Sequence, residues 1–128
     1  MNLQRVWWTL GGVLVAAAIV VCLVPGAAVP TPFEWNDKAS HIVGHGVLAL
    51  YFAGLVPRRS WWKIFVFLLL LGIAIEFGQY YMHMGRDGDP RDVLANSVGA
   101  FLGLGGAGLG LGRWPEFAAW LLGRRASQ

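Results

Sequence analysis

The sequence predicts an all-α membrane protein of four transmembrane helices, on three observations. The first is composition: mean hydropathy is +0.55, 56% of the 128 residues are hydrophobic and only 13% are charged. Soluble domains carry about 25% charged residues. The second is the presence of four apolar stretches, each near the roughly 20 residues that cross about 30 Å of hydrocarbon. The third is an uneven distribution of lysine and arginine between the two ends of those stretches, as spanning helices require.

The first stretch runs from about Val6 to Val24 and stops at Pro25-Gly26. Arg5 before it and Gly-Ala-Ala after it have the look of a signal peptide. Its core is long, however, and Val21 before Cys22 spoils a lipoprotein cleavage site, so a retained helix is expected. The second stretch, about Ala39 to Val56, ends at Pro57, and the third spans about Trp61 to Met82. The fourth, about Asp92 to Gly112, is glycine-rich. Beyond it, Trp114 to Leu122 is too short to span and reads as a short C-terminal interfacial helix. All 128 residues read as one domain.

Seven of the ten basic residues (Arg5, Arg58, Arg59, Lys63, Arg113, Arg124, Arg125) fall on one side of this arrangement. Lys38, Arg86 and Arg91 fall on the other, with six of the seven acids. Basic short loops stay in the cytoplasm, so both termini are expected there. The pairs Trp7/Trp8, Trp61/Trp62 and Tyr80/Tyr81 lie at the expected interfaces, as a headgroup belt does. A multi-pass membrane location follows as the expectation.

The polar residues gather on the outward side in three clusters. Asp37, His41 and His45 are spaced four apart and so share one stripe of the second helix. Glu76, Gln79 and His83 form a stripe at the outer end of the third. An ionisable group such as Glu76 inside an apolar segment costs about 3 kcal/mol or more and marks a functional site by default. In the third cluster, Gly88 and Pro90 set a turn, then Asp92 and Asn96 continue at helical spacing into Gly99 and Gly103. Small residues at that spacing let membrane helices approach closely, and they leave open a homo-oligomer through the fourth helix. Three stripes entering from one face predict a polar pocket. His41, Glu76 and Asp92 are its candidate acid/base groups. Asp37, Lys38, His45, Gln79, Arg86, Arg91 and Asn96 join them as candidate ligand-binding residues. His-x-x-x-His without an adjacent glutamate is no recognised zinc spacing, so neither a metal nor another cofactor is expected.

Other classes are disfavoured. The pI near 9.5 comes from bases scattered over loops rather than a basic stripe with exposed aromatics, which argues against nucleic acid. The lone Cys22 allows no intrachain disulfide.

These residues in this order resemble the VanZ-like family of small bacterial membrane proteins. The resemblance is carried by Asp37-Lys38-x-x-His41, Glu76-x-x-Gln79, and Arg86 through Asp92-x-x-x-Asn96-x-x-Gly99, and covers about 36–103. His45 stands where the family has an aromatic residue, a departure in the pocket itself. The resemblance implies a polytopic plasma-membrane protein, in a family whose founding member is linked to resistance to the glycopeptide teicoplanin.

The leading expectation is an outward pocket that binds the headgroup of a phosphate- or sugar-bearing envelope lipid, with Lys38, Arg86 and Arg91 pairing the phosphate. One alternative is an enzyme acting on such a lipid with His41 or Glu76 as general base, although no nucleophile pair is evident. The other is a structural or partner-binding protein whose polar residues lock the helices together. Transport fits less well, since inverted repeats are absent.

Overall fold

In the computed structural model, residues 2–23, 37–82 and 88–123 are described. They fold into five α-helices: α1 (Leu3–Leu23), α2 (Asp37–Ala53), α3 (Trp61–Met82), α4 (Pro90–Gly108) and α5 (Trp114–Leu121). No strand occurs among the described residues. The third expected stretch matches α3 at both ends, and α1 starts three residues before the first. The fourth helix is shorter than expected. It closes at Gly108, and Gly110, at φ 119°, takes the left-handed conformation that glycine adopts without a Cβ penalty. α5 then leaves at a bend of 75°, after a 3-10 turn at Leu111–Arg113.

α1 and α3 are each long and apolar enough to cross a membrane, and the bent pair of α4 with α5 passes the same test taken together. At 17 residues α2 is about 25 Å long. The molecule's surface fits that reading. Large apolar side chains such as Trp62, Leu70, Leu94 and Phe101 face outward, whereas His41, His45, Glu76, Gln79, Asp92 and Asn96 are buried. Water would favour the reverse; lipid favours this arrangement, because polar groups in hydrocarbon must find partners inside the protein.

α2 and α4 form the tightest pair. Their contact has no hydrophobic driving force in lipid and rests on close packing of small residues. Ala49, Ala53, Ala100 and Ala107 are buried between helices, and Gly99 and Gly103 press against the backbone carbonyls of Ile42 and Gly46. Leu48, Ile64 and Leu68 fill the core beside them. The glycine face expected to approach another helix is therefore occupied by α2 of the same chain.

α1 is tied down at both ends. The Tyr51 hydroxyl donates to the carbonyl of Trp7 at 2.7 Å, and Gln79 Nε2 donates to that of Cys22 at 2.8 Å. Gly11 lies against the rings of Phe52 and Tyr51. Trp114, opening α5, stacks on Tyr51 at 4.7 Å, meets Trp7 edge-on and donates its indole N–H to the Tyr51 carbonyl. The contacts of Tyr51 and Trp114 bring α1, α2 and α5 together at the end of the molecule opposite the polar cluster.

Candidate functional site

The site begins with the local chemistry that starts α4. Asp89 is extended, at φ −117°, and its Oδ1 accepts from the Arg91 N–H at 2.9 Å while Pro90 occupies the first helical turn. This is an N-cap followed by a proline with no N–H to satisfy. The backbone N–H of Asp89 donates to Glu76 Oε2 at 2.9 Å, locking the start of α4 onto α3. Asp92, one turn on, sits where the helix dipole favours negative charge.

From there the polar side chains converge. His41 from α2, Glu76 from α3 and Asp92 from α4 are all buried, and one ligand-type atom from each lies within 4.8 Å of the others. His41 Nε2 is 3.4 Å from Asp92 Oδ2, and His41 Nδ1 is 2.9 Å from Asn96 Oδ1. An amide oxygen only accepts, so this contact is a hydrogen bond in the tautomer that carries its hydrogen on Nδ1. Asn96 is 1% exposed, and it reaches this position because α3 has no side chain opposite it. A Cβ on Gly72 would lie 2.6 Å from Asn96 Nδ2.

Lys38 closes the outer rim of the cluster. Its Nζ lies 3.2 Å from Asp89 Oδ2 and 3.4 Å from Asp92 Oδ1. The bond to Asp89, with the attraction of both acids, raises the Lys38 pKa above its ordinary value. The Asp89 carboxyl is held low, first by the Arg91 N–H and then by Lys38.

The structure brings together five of the residues singled out from sequence: Lys38, His41, Glu76, Asp92 and Asn96. His45 is buried one turn deeper on α2, and its Nε2 has no hydrogen-bond partner among the described residues. Gln79 is buried on the same broad face as Glu76 but at the edge of it that meets α1, where its Nε2 donates to the Cys22 carbonyl. Arg91 is exposed and contributes its backbone to the cap of α4. Arg86, His83 and the side chain of Asp37 lie outside the described residues. Two positions escaped the sequence reading. Asp89 is not marked by helical spacing, although Asp-Pro ahead of an apolar run is a legible helix start. Gly72 carried no signal, since a single glycine in a long apolar run declares no partner.

The cluster is backed by a groove. Ile73, Glu76, Phe77, Tyr80, Pro90 and Val93 line an open, apolar cavity of about 360 Å³ between α3 and α4. Glu76 belongs to both groove and cluster.

Apolar helices enclosing a buried polar cluster define a helical membrane protein with its chemistry gathered at one end. The VanZ/LLP1 family model matches residues 14–110, well over half of the chain, and the chain belongs to that family. The match reaches beyond the motif-bearing segment at both ends and takes in the second half of α1. No curated protein and no solved structure matches the chain.

Proposed function

We propose that this protein binds the headgroup of a phosphate- or sugar-bearing envelope lipid at the outer face of the bacterial plasma membrane. In this reading four helices span the membrane, both termini are cytoplasmic and α5 lies at the inner interface. The observation that carries it is the sharing of Glu76 between an apolar groove and a buried polar cluster. A site for an amphiphile needs both surfaces in contact, one for the chain and one for the head. The groove between α3 and α4 offers Ile73, Phe77 and Val93 to an acyl or prenyl chain. Glu76 and Asp92 accept hydrogen bonds from sugar hydroxyls, and Lys38 and Arg91 stand at the rim for a phosphate.

The enzyme reading keeps one specific support: a histidine oriented by an amide and set 3.4 Å from a carboxylate is an arrangement used in general-base catalysis. No hydroxyl or thiol is assigned to it as a nucleophile, so binding is the better-supported reading.

The test is lipid carried through purification, measured by native mass spectrometry on wild type, Glu76→Gln and Val93→Trp. Glu76→Gln removes the charge and retains an acceptor for the Asp89 N–H, whereas Val93→Trp fills the groove. Both folded variants should lose the lipid that the wild type retains. An unchanged lipid profile in both would sink the proposal.

A further inference from the structure

We infer that His41, Glu76 and Asp92 form a binding site for one first-row divalent cation, Zn²⁺ or Mn²⁺. The inference does not rest on the lipid reading.

The donor set is suitable and comes from three helices. One imidazole and two carboxylates with positions left open form a common site for such ions. Metal–ligand distances of about 2.0–2.2 Å in a tetrahedral site put the ligand atoms about 3.3–3.6 Å from one another. His41 Nε2 and Asp92 Oδ2 are already 3.4 Å apart. The whole set lies within 4.8 Å, so a side-chain adjustment of about 1 Å closes it around an ion.

The groups behind the three ligands argue for a cation independently. A metal-bound histidine nearly always donates its other ring N–H to an oxygen, and ligating carboxylates are themselves hydrogen-bonded. Each of the three meets this condition. His41 Nδ1 faces Asn96 Oδ1, Asp92 Oδ1 faces Lys38 Nζ, and Glu76 Oε2 accepts from the Asp89 N–H. The Nε2 edge of the His41 ring faces the Asp92 carboxylate at 3.4 Å. A proton on Nε2 would satisfy that pair alone, whereas a divalent ion also meets Glu76.

Charge points the same way. Glu76 and Asp92 are 8% and 2% exposed, and the cation beside Asp92, Lys38, is shared with Asp89. Carboxylates buried this deeply are costly to hold as anions within a membrane, and a divalent ion bound between them would lower that cost. The ligands are 35 and 16 residues apart in the chain, so no short linear spacing reveals them. Cys22 lies on α1, outside the set, which leaves no thiolate to favour copper(I).

The test uses the full chain, purified in detergent and delipidated, so that failure of the lipid reading cannot affect it. After chelator treatment and dialysis against Zn²⁺ or Mn²⁺, bound metal is measured by elemental mass spectrometry. The expected result is about one ion per wild-type chain and at least tenfold weaker binding in Glu76→Gln and Asp92→Asn. No stoichiometric ion in the wild type, or undiminished binding in both folded variants, overturns the assignment. Should the variants fail to fold, Mn²⁺ bound to wild-type protein with ¹⁵N-labelled histidine decides. Hyperfine coupling to a histidine nitrogen is expected, and its absence rejects the site.

Discussion

Asn96 shows how one polar residue organises the interior of a membrane protein. Its amide oxygen fixes the His41 ring, and its side chain fits because Gly72 leaves space on the facing helix. Gly72→Ala should therefore harm the protein although alanine is the better helix former. The added methyl meets the Asn96 amide, and overpacking of this kind costs about 1–3 kcal/mol. Thermal unfolding in detergent should show the loss, together with a perturbed His41 signal in NMR. Unchanged stability would mean that Asn96 is not held against α3. At this scale the sequence was informative about polar residues and silent about their complements. Glu76, Asp92 and Asn96 stood out because ionisable and amide groups are expensive in apolar segments. Gly72 did not, because its role depends on what faces it across a helix boundary. Gln79 shares a broad helical face with Glu76, at the edge that meets α1.

Elements assemble here through small residues rather than apolar bulk. Gly99 and Gly103 bring the backbones of α2 and α4 into direct contact, and this contact places His41 beside Asp92 and Asn96. A side chain at position 103 meets the carbonyl of Gly46 and a methyl of Ala49, with no flexible atom to yield. Gly105, two residues on, faces open space. Gly103→Val should therefore unfold the α2–α4 pair at a much lower temperature than Gly105→Val, although helix propensity penalises both equally. Equal melting temperatures would contradict the packing account. Helix existence was legible throughout from hydropathy and breakers. The end of α4 was not, because glycine is equally at home in a packing face and in a left-handed turn. The stretch from Gly99 to Gly112 contains both uses in one continuous pattern.

Among the described residues, the molecule joins a buried polar cluster to an apolar core and turns large apolar side chains outward. The three polar stripes were readable one by one from spacing of three and four, and their convergence was inferred from a shared membrane face. The structure supplies what periodicity cannot: the ligand atoms of three helices lie within 4.8 Å of one another, and Glu76 also borders an open apolar groove. Aromatic contacts of Trp114 with Tyr51 and Trp7 hold the opposite end, so the groove end and the anchored end are distinct.

The central claim, an amphiphile site at Glu76, is tested most directly by an experimental density map of the protein in lipid nanodiscs. The account predicts chain-like density along Ile73, Phe77 and Val93, ending in a headgroup within hydrogen-bonding distance of Glu76. A map in which that groove is closed by protein, with no lipid within reach of Glu76, would contradict it.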